Sequence, residues 1–434
     1  MVRFDDALGI AIAAIRRQLA RRETSITMVR DVGGQITAVL PDDALGADEW
    51  AQLGAELDKK LEAYSPGHRR VLLRASDLID ATDVVASPDR VRLAEYEGVW
   101  LVDRLLTNQD WLRHPAIVVP RIPLATAFSL KGGVGRSTAL AVLAWHLARQ
   151  GRRVVAVDLD LEAPGLGSVL LNELPDYGLI DWLVDGRVSA PDVGALTDYL
   201  APSPVSDDTS GHVQVMPAFG GKTREYVTKV GRVFLPGLSP EGEEEGLAQR
   251  LSTLVRLFSE QLEPPDVVLL DARAGLHDIG AAAVTQLGAE VFLFARDEPQ
   301  SWESYRLLLE HLARSKGVVY GMPDDDLRWR LKMVAAQLDK TEGALDAYVE
   351  TSYETWSALY DDESRAASSA AEAQTFVRDD LDAPHYPLTI YFDGGLRSLV
   401  LVRRDQRPPW PVIEAAFGAF LTDATARLGL QGAP

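Results

Sequence analysis

The chain has 434 residues, 47% hydrophobic and 25% charged, with a net charge of −20 and no cysteine. That length accommodates two or three domains, and the composition excludes a disorder-dominated chain; without cysteine, disulfides, zinc–thiolate sites and thiolate-held iron–sulfur clusters are excluded as well. No basic-then-apolar leader and no run of about 18 apolar residues occurs, so a cytoplasmic protein is expected, and the strong acidity argues against direct DNA binding.

Residues 1–120 read as a small mixed α/β accessory domain. Phe4, Leu8, Ile12, Ile15 and Leu19 fall at helical spacing, with Arg16, Arg17, Arg21 and Arg22 between and after them. Two β-rich runs, 24–30 and 35–40, flank Val32-Gly33-Gly34 and predict a hairpin. A helix over 47–64 and strands at 70–74, 91–96 and 99–102 follow. The basic cluster His68, Arg69, Arg70 and Arg74 fits either an anionic partner or a solvated strand edge guarded by charge. Trp100 and Trp111 read as core or interface residues rather than a ligand cage. Three prolines between His114 and Pro123 mark a domain boundary.

From residue 121 the pattern changes to alternating strands and helices. An apolar run, 124–130, meets Lys131-Gly132-Gly133-Val134-Gly135-Arg136-Ser137-Thr138, and a helical pattern follows to about Gln150. Strand, glycine turn and helix start make a phosphate cradle: glycines let successive N–H groups point inward, and the helix N-terminus adds to their pull on an anion. Ser137 or Thr138 then offers a hydroxyl to Mg²⁺. The strict G-x-x-x-x-G-K-[ST] pattern fails twice, at Leu130 and Arg136.

Two further apolar runs end in carboxylates. Arg152 to Asp160 closes on Asp158-Leu159-Asp160, and Asp266 to Asp271 closes on Asp271 before Ala272-Arg273-Ala274-Gly275. Buried parallel strands present ligands at their C-terminal ends. For Asp158 and Asp160 the alternative, less favoured, is a strand-end aspartate that caps the next turn. Between these runs, 177–184 reads as a helix, 213–216 as a short strand, 236–246 as an acidic surface segment, and 247–262 as a helix. Helix 279–287, strand 290–295, helix 298–313 and strand 330–336 follow. The alanine-rich stretch 341–379 reads as a helical insertion or lid, 388–392 as the last strand and 411–428 as a closing helix that packs on the sheet rather than binding membrane.

The Lys-Gly-Gly-x-Gly-basic-Ser-Thr sequence, the Asp-x-Asp strand end and the Asp271 segment together resemble the ParA/MinD-type deviant Walker A P-loop ATPases of the SIMIBI class, in a KGGVGR variant. The missing cysteines set it apart from the nitrogenase iron protein. The resemblance implies a doubly wound, mainly parallel P-loop sheet flanked by helices, binding of ATP and Mg²⁺, and a homodimeric switch that regulates a protein partner, through residues 1–120 or elsewhere. It assigns Lys131 to the partner subunit's phosphates and Asp160 to the attacking water. Residues 132–138 would cradle the nucleotide, Ser137, Asp158 and Asp271 would serve the metal, and Gln337 would contact the base. Residues 161–165 correspond to the first switch, and 272–276 to the second. Asp339-Lys340 is not the Asn-Lys-x-Asp guanine signature, which favours ATP. Arg136 stands where the family usually has lysine, and a planar fork is not equivalent to an ammonium at a tight phosphate site. A slow or partner-stimulated ATPase is expected, alongside a scaffold that binds ATP with little hydrolysis and a ligase-type metabolic enzyme as alternatives.

Overall fold

The computed structural model describes residues 2–20, 22, 24–87, 89–93, 95–105, 108–113, 115–116, 119–187, 193–238, 244–314, 327–360, 376–396 and 399–432. They form two compact units, one from residues 2–113 and one from 115–313 with 327–432.

In the first unit, helices Phe4–Leu19 and Ala47–Leu61 pack on a five-stranded mixed sheet. Its strands are β1 (Ile26–Arg30), β2 (Ile36–Leu40), β3 (Leu72–Arg74), β4 (Val91–Arg92) and β5 (Val99–Asp103), in the order β3-β2-β1-β5-β4. The hairpin expected at 32–34 joins β1 and β2. Asp31 Oδ1 accepts from the N–H groups of Gly33 at 2.9 Å and Gln35 at 2.8 Å, and Gly34 takes a left-handed φ of +85°. β3 forms a sheet edge, and the Arg74 guanidinium stacks 4.2 Å from the Trp50 ring, consistent with a charge-guarded edge. Strand β4 covers only two of the six residues expected to be extended.

The second unit is built on an eight-stranded sheet. After β6 (Leu124–Ser129) and β7 (Arg153–Asp158) come β8 (Ala201–Pro202) and β9 (His212–Met216). The acidic segment contributes only a two-residue ladder, β10 (Gly237–Leu238) with β11 (Glu244–Glu245); its Glu241 and Glu243 lie outside the described residues. Then follow β12 (Val267–Asp271), β13 (Glu290–Ala295), β14 (Leu331–Leu338) and β15 (Leu388–Tyr391). The order is β15-β14-β13-β6-β12-β7-β9-β8, parallel throughout except at β8.

Alternation along each strand sends side chains to both faces, and helices cover both, so nearly every strand residue is apolar. Ala125, Ala127, Val154, Ala156, Phe292 and Phe294 share one core with helices Arg136–Arg149 and Trp410–Arg427. On the other face the Thr126 hydroxyl donates to Ala283 O, and the Tyr305 and Tyr348 hydroxyls reach the carbonyls of Phe294 and Val334. The closing helix buries Ile413, Phe417, Phe420 and Leu421 against the sheet, each fully buried side chain contributing about 1.5–3 kcal/mol. Among the described residues no helix is long and apolar enough to cross a membrane.

The stretch expected to be a helical insertion over 341–379 behaves differently. Helix Ala344–Tyr360 links β14 to the parallel β15 and buries Tyr348, Val349, Trp356 and Leu359, so it is a crossover helix of the sheet. Residues 376–387 are non-helical, and the alanine-rich run 366–371 lies outside the described residues.

Candidate functional site

The C-terminal ends of β6, β7 and β12 lie side by side, with Asp271 in register with Asp158 and Ala127. This brings the three motif segments together. Gly133 and Gly135 have φ of +76° and +86°, conformations that a Cβ disfavours. A Cβ added at Gly132 or Gly133 would meet nothing within 4 Å, so open space lies over the loop. Gly135 caps helix Arg136–Arg149, which starts two residues before the expected Thr138 and so places Arg136 in its first turn.

Arg136 does not face the glycine loop's open side. It is 7% exposed; its Nε donates to Asp271 Oδ1 at 2.9 Å, Nη1 to Ser129 Oγ at 2.7 Å, and Nη2 to Asp160 Oδ2 at 3.4 Å. The Ser129 hydroxyl in turn donates to Lys131 O at 2.8 Å. Burial pushes the Asp271 carboxyl up from the ordinary carboxylate range, with the Arg136 charge pulling the other way. Asp271 Oδ2 is buried without a partner at ordinary hydrogen-bond geometry, and the Ser137 hydroxyl beside this carboxylate pulls its pKa down. An orphaned anionic oxygen beside a hydroxyl fits a hard cation such as Mg²⁺, which takes few protein ligands.

Asp158, expected to serve the metal, has both carboxylate oxygens on backbone donors. Its Oδ1 accepts from Asp160 N at 3.1 Å, and its Oδ2 from Gly165 N at 3.1 Å and Leu166 N at 3.0 Å. Both oxygens are engaged in bracing the loop 159–166. Burial, then the neighbouring Asp271, push the Asp158 carboxyl up to about 8. Asp160 is freer: Oδ1 accepts from Ala163 N at 3.0 Å, and among the described residues Oδ2 meets only Arg136.

Lys131 stands apart from this cluster. Its Nζ donates to Glu298 Oε2 at 3.1 Å and Gln300 Oε1 at 2.8 Å, at the start of helix Pro299–Arg314. Gln337 has a strained left-handed φ of +58° at a register shift between β14 and β15, and its Nε2 donates to Gly133 O at 3.3 Å. With Val134, Gly135, Thr138 and Phe392 it lines a cavity of about 450 Å³ that runs from the glycine loop to the end of β15. A larger cavity, about 600 Å³, shares Tyr391 with it but contains none of the motif residues.

Some functional neighbours were not foreseen. Phe392, Asp393 and Leu396 wall the 450 Å³ cavity; the signal for them was Phe392-Asp393-Gly394-Gly395, a turn at a strand end like those of the motif strands. Glu162 pairs with Arg273, joining the loop after β7 to the loop after β12. The Tyr226 hydroxyl donates to Leu161 O at 2.6 Å, placing helix Tyr226–Val233 on the first of those loops. Gly275, with φ of +93°, donates its N–H to Ser129 O at 2.9 Å. His277 is held below the ordinary imidazole range by burial and by Arg273.

A glycine loop between a central parallel strand and a helix, with carboxylates on two adjacent strand ends, defines a P-loop nucleotide-binding α/β domain. Residues 125–326 match the CobQ/CobB/MinD/ParA nucleotide binding domain. The antiactivator FleN of Pseudomonas aeruginosa is 31% identical over 188 residues, 43% of this chain and 55% of FleN, so the match spans about half the length of that relative. Among solved structures, a ParA family ATPase from Chlorobium tepidum is 15% identical, covering 70% of this chain and 98% of that one with a TM-score of 0.43. The McdA(D38A)–ATP complex of Cyanothece is 14% identical, covering 72% and 99%, also with a TM-score of 0.43.

Proposed function

We propose that this chain is an ATP-binding, slowly or conditionally hydrolysing switch of ParA/MinD type that works as a homodimer and controls a protein partner. The observation that carries this reading is the glycine loop opening onto a cavity closed by Gln337 and Phe392, with Asp160 and the orphaned Asp271 Oδ2 beside Arg136 at the same edge. Backbone N–H groups of residues 132–138 hold the phosphates, Thr138 and Gln337 border the base and sugar, and Phe392 offers a face for the purine. Bound Mg²⁺, served by Ser137 and Asp271, supplies charge neutralisation to the phosphates. Asp160 Oδ2 orients the attacking water. Lys131 leaves Glu298 and Gln300 to meet the phosphates held by a second subunit.

FleN is an antiactivator by name, which supports a partner-restraining role here; residues 2–113 are the natural candidate for reading that partner. The acidity of the chain argues against direct DNA contact. A second reading, a scaffold that binds ATP with little turnover, is favoured by the commitment of Arg136 to carboxylates instead of the open loop. Phosphate release from purified protein with Mg²⁺ and ATP separates them, with Lys131→Ala as the blank. Turnover above that blank supports the switch, and a rate equal to it supports the scaffold.

A further inference from the structure

Arg136 and a divalent cation draw on the same carboxylates. The guanidinium lies 2.9 Å from Asp271 and 3.4 Å from Asp160, and Asp271 is fully buried. A hard cation binds carboxylate oxygen at about 2.0–2.1 Å. Placed on Asp271 Oδ2, it would stand within a few ångströms of a fixed positive charge in a site of low dielectric, where like charges repel strongly. One carboxylate also cannot fully compensate both. The neighbouring carboxylate of Asp158 is already engaged, with three backbone N–H groups.

We propose that Arg136 is an internal counter-cation that keeps a divalent metal ion off Asp271 and Asp160, and that the site accepts its metal only when the guanidinium swings from these carboxylates to phosphate oxygens. The inference rests on reading the site as an ATP site. It gives the arginine a role that a lysine fills poorly: three nitrogens of one planar fork reach Asp271, Ser129 and Asp160 together, whereas an ammonium is a single point of charge. The swing also frees Asp160 Oδ2 while Oδ1 still holds Ala163 N, so it connects phosphate arrival to the loop 159–166.

The test is Mn²⁺ binding to full-length protein stripped of nucleotide, read from the paramagnetic resonance signal of free Mn²⁺. Arg136→Met should bind Mn²⁺ at least tenfold more tightly than the wild type, Arg136→Lys should fall between them, and adding Asp271→Asn to Arg136→Met should remove the gain. Equal affinity of wild type, Arg136→Lys and Arg136→Met would overturn the proposal, as would a gain that survives Asp271→Asn. If Arg136→Met does not fold, Arg136→Lys, which keeps the charge, decides. Binding of fluorescent ADP without metal is read in parallel: failure there counts against the ATP reading, whereas the Mn²⁺ series decides the exclusion by itself.

Discussion

The Lys131 ammonium lies 3.1 Å from Glu298 Oε2, pinned to its own chain by a residue 167 positions away. The pair is half-exposed and its ammonium also meets Gln300; the lysine's hydrogen bond, with Arg296 nearby, holds the Glu298 carboxyl below its usual range. A lysine that serves a second subunit must give up this contact. Glu298→Ala should therefore strengthen ATP-dependent self-association, by only a few-fold because exposed ion pairs are screened. Sedimentation velocity with ATP and Mg²⁺ checks this; unchanged or weaker association would show that the contact does not restrain Lys131.

Arg136 and Asp271 make a second prediction, about stability. Removing one partner of a buried ion pair leaves the other uncompensated and costs about 3–5 kcal/mol, whereas replacing both by apolar groups of similar size is often nearly neutral. Arg136→Met should lose about that much in urea unfolding, and the double variant Arg136→Met with Asp271→Leu should regain most of it. Additive losses in the double variant would contradict the pairing.

Tyr226 links helix Tyr226–Val233 to the first-switch loop through a single hydrogen bond to Leu161 O. Such a bond contributes about 1 kcal/mol. Tyr226→Phe should speed hydrogen exchange of the amides over 159–166 by about fivefold and leave exchange in β6 unchanged. Equal exchange in both proteins would show that the Tyr226 contact does not hold the loop.

A buried lysine gives a pH signature away from the site. Lys332 donates to the carbonyls of Leu381 at 2.6 Å and Ala383 at 2.8 Å, and burial, then Arg427, pull its ammonium down to about 8, with Asp380, Asp382 and Asp423 acting in the opposite direction. Between about pH 8 and the ordinary lysine value the unfolded chain binds more protons than the folded one, so stability rises with pH across that window. Urea midpoints should increase from pH 8 to pH 10, and Lys332→Met should flatten that rise. Equal slopes for the wild type and Lys332→Met across that window would contradict the assignment.

Much of this architecture was legible in the sequence because apolar runs ending in aspartate, and glycines between a strand and a helix, have few other physical explanations. Lys131 to Thr138, Asp160 and Asp271 all arrive at one sheet edge, as their strand ends required. Side-chain direction was not legible. Whether Arg136 turns toward phosphates or carboxylates depends on the fold bringing residue 271 beside residue 136, and Asp158 was diverted to backbone donors by the curl of the loop after it. Helix Ala344–Tyr360 was read only as part of a helical insertion or lid over 341–379, because the alanine-rich stretch beyond it obscured its buried Tyr348 and Trp356. Phe392 was read only as the end of the last strand, because the turn Phe392-Asp393-Gly394-Gly395 does not by itself tell that the glycine loop stands opposite it.

The central claim is that the loop 131–138 grips a nucleoside triphosphate. Calorimetric titration of ATP with Mg²⁺ into folded full-length protein tests it most directly. Saturable heat with one ATP per chain is expected, weakened more than tenfold by Gly135→Val, which places a branched side chain at a φ of +86°. No heat from the folded wild type, or equal binding by Gly135→Val, would contradict it.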